Sequence, residues 1–117
     1  MRTDRTSEDG MVTAEAAAVL PSLVLLLAMG LTAVLTVGAQ LKLVDAAREA
    51  ARVAARGDSA AQATSAGERL GPDHTHVAVH EAGGAVSVDV SARVRPFGVL
   101  PGFTLHAHAT AESEKQP

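Results

Sequence analysis

The chain has no cysteine, tryptophan, tyrosine, isoleucine or asparagine, and Phe97 and Phe103 are its only aromatic residues. Without cysteine there is no disulfide framework, no thiolate metal site and no thiol nucleophile. Without more aromatics, alanine and valine must carry whatever core exists, and each such side chain removes little apolar surface from water. A basic excess is missing too. The formal net charge is −3 over 117 residues, which is not the electrostatic footprint of a nucleic-acid-binding domain. Lysine occurs only at Lys42 and Lys115, beside abundant Ala, Gly, Val and Arg. That bias is the one a high-GC genome imposes, as in actinobacteria, and it bears on no mechanism. Glycine-rich phosphate loops, nucleophile–base pairs and paired catalytic carboxylates are absent as well. The chain therefore reads as a non-enzyme without a cofactor.

Charge is also missing from one long stretch: Ala16 to Ala39 contains no Asp, Glu, Lys or Arg. A helix rising about 1.5 Å per residue crosses a ~30 Å hydrocarbon core in roughly 20 residues, so this run is long enough to span a bilayer. Pro21 would kink such a helix by withholding one backbone donor, a loss that neighbouring helices make good in lipid. Gly30 and Gly38 permit close helix approach, but their spacing is twice that of the small-residue dimer motif.

A short charged leader, Met1 to Asp9, precedes this run; it closes on Gly10 and is followed by Met11-Val12-Thr13-Ala14-Glu15. Three readings compete. A secretory signal peptide would use the small residues Val37-Gly38-Ala39 for cleavage. Such peptides, however, have a basic start and an apolar region of about 7–15 residues. Here the apolar run is longer, and Arg2 and Arg5 are offset by Asp4, Glu8 and Asp9. A plain uncleaved anchor makes Glu15 an accident, which costs about 2.5–3.5 kcal/mol at a helix centre and less near an end. The third reading accounts for all the parts together. Gly10, Glu15, the hydrophilic leader and the apolar run resemble the type III signal of type IV prepilins, a leader ending in Gly with Glu at the fifth mature position. The resemblance implies peptidase cleavage between Gly10 and Met11 and an assembly role for the Glu15 carboxylate.

Orientation meets one discordant count. Arg2 and Arg5 precede the apolar run, while Lys42, Arg48, Arg52 and Arg56 follow it. The positive-inside rule alone places the C-terminal side in the cytoplasm. A prepilin peptidase acting at the cytoplasmic face places the leader there instead. The expectation here is a cytoplasmic N-terminus and an extracytoplasmic C-terminal domain.

Beyond Ala39 the helix is expected to continue as a stalk to Arg56, making one helix from Met11 of roughly 70 Å at the standard rise. Lys42, Asp45, Glu49, Arg52 and Arg56 form a stripe of alternating charge that can pair internally. Leu43, Ala47, Ala50 and Ala54 line another, small-sided face, suited either to internal packing or to contact with another subunit. Gly57-Asp58 marks the end of the stalk. Ser59 to Leu70 adds a short helix stopped by Gly71-Pro72.

After Pro72 the apolar period becomes two. Val77 and Val79 alternate with histidines, Val86 to Val94 alternates with Ser, Asp and Arg, and Leu105, Ala107 and Ala109 alternate with His and Thr. Gly83-Gly84 is a two-residue hairpin signal. The expected class is α+β: a long transmembrane-and-stalk helix, then a small antiparallel three-stranded meander with one apolar face on the stalk. The expected division is residues 1–10 leader, 11–39 membrane helix, 40–57 stalk and 58–117 extracytoplasmic domain. His74, His76, His80, His106 and His108 fall on the polar face of that meander. The first and third strands flank the second at about 9–10 Å, too far for one ion, and no metal site is assigned.

The plan as a whole resembles the TadE family of pseudopilins. The resemblance rests on Gly10 to Glu15, on the stretch Met11 to Pro21, and on Ala46-Ala-Arg-Glu-Ala-Ala-Arg-Val-Ala-Ala-Arg56. It implies a minor subunit of a tight-adherence, Flp-type pilus system. The implied partners are a prepilin peptidase, other pilin subunits, an inner-membrane assembly platform and the lipid bilayer. The alternative class is a stand-alone single-pass membrane protein whose small outer domain binds a partner.

Overall fold

A computed structural model describes residues 2–114, with side chains from residue 8 onward. Met1, in the expected leader, and residues 115–117, at the end of the expected C-terminal domain, lie outside the described residues. Helix α1 runs from Arg2–Ala55, and α2 covers Ala60–Leu70. Strands β1 (Thr75–Ala82), β2 (Ala85–Val94) and β3 (Phe103–Glu112) follow, with a short 3-10 turn at Pro96–Gly98. The class is the expected one, a long N-terminal helix followed by a three-stranded antiparallel sheet in the order β1-β2-β3. The helix starts earlier than expected because the leader contains no proline, and a single glycine at Gly10 costs only about 1 kcal/mol inside a helix.

The chain forms two compact units, Met1–Val34 and Leu35–Pro117. The first is helix alone. It continues through Pro21, and its large apolar side chains are exposed among the described residues: Leu27 is 73% exposed, and Leu23 and Leu26 are similarly bare. A helix apolar on all sides belongs in lipid or inside an assembly rather than in water. The hydroxyls of Ser22 and Thr32 are already satisfied within the helix. Ser22 Oγ donates to the Ala18 carbonyl at 2.9 Å and Thr32 Oγ1 to that of Ala28 at 2.8 Å. Neither hydroxyl therefore opposes burial in hydrocarbon.

In the second unit the small face of α1 is the packing face. Leu43, Ala47, Ala50 and Ala54 are buried against Val86, Val88, Val90 and Ala92 of β2, with Ala63 and Ala66 of α2 closing one side. The unit's own sheet covers this face, so of the two uses open to it, subunit contact is overturned. The charged stripe is solvated, with Glu49 and Arg52 paired at 3.3 Å and Arg56 and Asp58 at 3.8 Å. Such exposed pairs contribute about 0–1 kcal/mol each. The helix ends where Gly57, at φ 90°, turns left-handed and donates its N–H to the Ala54 carbonyl at 3.1 Å.

Helix α2 begins with a capping box. The Ser59 hydroxyl accepts from the Gln62 N–H, and the Gln62 side chain accepts from the Ser59 N–H. Gly67 lies where α2 crosses α1 and β1. A Cβ there would meet Val77 Cγ2 at 2.9 Å, Ala50 Cβ at 3.3 Å and the Ala46 carbonyl oxygen at 3.4 Å. The β1–β2 hairpin turns through Gly83 and Gly84 at φ 60° and 79°, between the paired Ala82 and Ala85. Both positive angles match the right-handed twist of the strands.

Two hydrogen bonds tie β3 to α1 within this unit. Gln40 Nε2 donates to the His106 carbonyl at 3.0 Å, and the Glu114 N–H donates to the Ala55 carbonyl at 2.8 Å. The contact at Gly67 gives a stability test. Gly67→Leu overpacks a backbone-close crossing and is expected to cost roughly 1–3 kcal/mol. A domain of this size loses about 4–8 °C of Tm per kcal/mol. A thermal melt of the detergent-solubilised chain followed by circular dichroism checks it, and an unchanged Tm contradicts the close crossing.

Candidate functional site

Gly10, Met11 and Glu15 all lie on α1 in the first unit. From Gly10 to Leu41 the only charged side chain is Glu15. Glu15 is exposed and forms no ion pair among the described residues. Met11 is exposed, and one helical turn separates it from Glu15, a rise of about 6 Å. Gly10 is open on every side: a Cβ added there would find nothing within 4 Å. No fold of this chain requires glycine at that position.

The Gly10–Met11 peptide bond sits in regular helix, so a protease reaches its carbonyl carbon only after local unwinding. Glycine eases that step, being about 0.5–1 kcal/mol less favourable than alanine in a helix interior. Thr13 opposes it. Its Oγ1 donates to the Asp9 carbonyl at 2.9 Å, bridging the leader and the segment after Gly10. The sequence reading missed Thr13. The available signal was a Thr four residues after a leader carbonyl, a position from which its hydroxyl can bond back along the helix.

The second cluster of polar side chains is on the wet face of the sheet. His108 Nδ1 lies 2.7 Å from Asp89 Oδ1, His80 Nε2 lies 3.9 Å from Asp89 Oδ2, and His108 Nε2 is 3.1 Å from Thr110 Oγ1. The register explains the grouping. Asp89 on the middle strand faces His108 on β3 and Ala78 on β1, with His80 one diagonal step away. The histidines of the flanking strands thus share a central carboxylate that the sequence reading did not connect to them. All three side chains are more than half exposed. No group of three or more His, Asp or Glu among the described residues is arranged to hold a metal ion. His76 and His106 share another row across Ser91, and His74 sits in the turn before β1 with φ 59°.

One helix near the N-terminus is long and apolar enough to cross a membrane, a lone carboxylate stands near its start, and a small α+β unit lies beyond it. These features are consistent with a membrane-anchored protein that has one crossing helix. Residues 10–52 match the sequence pattern of the family described as TadE-like protein, and the match begins at the glycine singled out above. The chain belongs to this TadE-like family, whose members are pilus-associated structural proteins. It is 39% identical over 100 residues to apoptosis inhibitor Rv3655c of Mycobacterium tuberculosis, an alignment covering 86% of this chain and 77% of that one. No solved structure matches the chain.

Proposed function

We propose that this chain is a minor pilin or pseudopilin of a type IV pilus or secretion system of the tight-adherence, Flp-like kind. Its leader, residues 1–10, is removed by a prepilin peptidase at the cytoplasmic face. The helix from Met11 then anchors it in the membrane with the C-terminal unit outside, until other pilin subunits and an inner-membrane platform take it into an assembly. The supporting observation is the uncovered apolar helix whose only charge, Glu15, lies one turn past the Gly10–Met11 bond. An anchor needs the apolar surface; it has no need of the carboxylate.

The carboxylate acquires a use after cleavage. The new α-amine of Met11 is a positive charge at the start of the helix, within one turn of the chain's own Glu15. In a staggered bundle it can also meet the Glu15 of a neighbour. In a low-dielectric setting an unpaired carboxylate is costly and a paired one is tolerated, so pairing selects one register of docking. A second reading keeps the chain as a stand-alone membrane protein with a binding domain. The likeness to the apoptosis inhibitor supports it, since it extends over far more of the chain than residues 10–52. If an action of that kind is shared, the C-terminal unit carries it.

Two experiments test the pilin reading. Intact-mass measurement of membrane-extracted protein is expected to show a chain starting at Met11, and Gly10→Val is expected to leave the leader attached. Because the Gly10 position is open on all sides, a block by valine is attributable to the peptidase subsite and not to misfolding. A mature chain starting at Met1 or Gln40 refutes the cleavage. Glu15→Leu is expected to insert and be cleaved normally yet to co-purify with partner pilins at least about tenfold less well, the effect of roughly 1.4 kcal/mol in docking. Undiminished co-purification removes Glu15 from assembly and favours the stand-alone anchor.

A further inference from the structure

The two aromatic residues of the chain are not in its core. Phe97 is 50% exposed, and Phe103 is exposed at the start of β3. Between them lie Val99, 84% exposed, and Leu100, also exposed. Phe97 itself is held at φ 57°, a left-handed conformation, with Gly98 following at φ 66°. A non-glycine residue in that region costs of order 1–2 kcal/mol, and what it achieves here is a turn that presents an aromatic ring to the surroundings. The core, meanwhile, is built of Ala, Val and one Leu. An apolar cluster this exposed in a unit this small marks an interaction site.

The two bonds from α1 to β3 fix where this loop lies in the unit. From His106 to Glu114 the strand rises about 26 Å at ~3.3 Å per residue. From Gln40 to Ala55, the residues they bond, the helix rises about 22 Å at ~1.5 Å per residue. Strand and helix therefore run in the same direction nearly in step. Counting back from His106, Phe103 lies about 10 Å nearer the start of the unit. Leu35, the first residue of the unit, lies about 7–8 Å before Gln40. The loop thus sits at the level where the helix leaves the unit toward its uncharged run. That run, Ala16 to Ala39, is about 36 Å long against a ~30 Å hydrocarbon core. Its last residues accordingly fall at the boundary between acyl chains and headgroups.

The base of the loop is cationic. A Cβ on Gly102 would meet Arg93 Nε at 2.8 Å and Arg95 Cγ at 2.9 Å, so both arginine side chains lie over the foot of the loop. Both are exposed, and neither is in an ion pair among the described residues. Asp73 and Ala39 line the same depression as the two arginines. One carboxylate there stands against two guanidinium groups.

We propose that the loop between β2 and β3 is a second membrane contact. Phe97, Val99, Leu100 and Phe103 enter the headgroup–acyl boundary of an anionic bilayer, and Arg93 and Arg95 lie over lipid phosphates. Apolar residues on one side and arginine on the other are what interfacial segments use, and binding strengthens with anionic lipid. The contact holds the C-terminal unit down on the membrane while the helix is anchored. It rests on the membrane-spanning helix alone and is independent of cleavage, of assembly and of which side of the membrane the unit occupies.

The absence of cysteine makes the test direct. Val99→Cys and Glu81→Cys each give a single attachment point for an environment-sensitive fluorophore, the first at the loop and the second beside the far hairpin. The full chain is reconstituted in vesicles of phosphatidylglycerol and phosphatidylcholine. At position 99 the label is expected to shift to the blue, to be quenched by lipids spin-labelled near the headgroup, and to be quenched by aqueous iodide at least about fivefold less than at position 81, as for an interfacial site. R93E/R95E is expected to restore iodide quenching at position 99, with position 81 unchanged. Equal iodide quenching at the two positions overturns the proposal. So does protection that grows with the protein-to-lipid ratio, which identifies a second copy of the chain as the occupant. Protection as strong in pure phosphatidylcholine overturns the role of the arginines.

Discussion

The C-terminal unit depends on one contact, that of an alanine-faced helix with a valine-faced strand. Leu43, Ala47, Ala50 and Ala54 of α1 lie on Val86, Val88, Val90 and Ala92 of β2. Side chains this short let helix and sheet approach closely. They also supply little apolar area per residue, about 0.8 kcal/mol for each buried methylene. Everything else in the unit serves to hold that pair together: the capped α2 that wedges Gly67 against Ala50, the tight glycine hairpin, and the β3 bonds at Gln40 and Ala55. Because α1 also supplies the uncharged run, the helix that organises the core also contains the stretch apolar enough to cross a membrane.

The first unit follows a different rule. Among the described residues its large apolar side chains are exposed, so surroundings must cover them, lipid for the proposed anchor and other helices in the proposed assembly. Between Met11 and Val34 Glu15 is the one charged side chain, and a lone charge in an apolar helix either restricts where that helix can sit or finds a partner. Gly10 has the complementary character. A Cβ there would meet nothing within 4 Å, so packing does not require glycine, and the proposed peptidase recognition would supply a reason for it.

Much of this was legible in the sequence because the patterns are local. The strict alternation of Val86 to Val94, the Gly83-Gly84 pair and the charge-free run each fix an element without reference to the rest of the chain. The small face of α1 was legible as a face, but its use was not: pattern alone cannot say whether alanines meet their own sheet or another subunit, and long-range pairing decided it. Asp89 shows the same limit. Its link to His80 and His108 requires the register of three strands, set by pairings 11 to 19 residues apart along the chain, such as Ala78↔Asp89 and Asp89↔His108. The start of α1 at Arg2, ahead of the expected Met11, was not read because residues 2–9 carry no apolar period, although no proline interrupts them. The exposed loop was not read because nothing local to Phe97 and Phe103 shows whether other parts of the unit cover them.

The alanine and valine core has a thermal consequence as well as a packing one. The heat-capacity change of unfolding scales with the apolar surface newly exposed to water, and denaturant sensitivity scales with total surface. A core with one leucine and no aromatic ring exposes little of the former. The stability curve of the C-terminal unit is accordingly flat: its free energy varies slowly with temperature, and heating weakens it gradually instead of past a sharp edge.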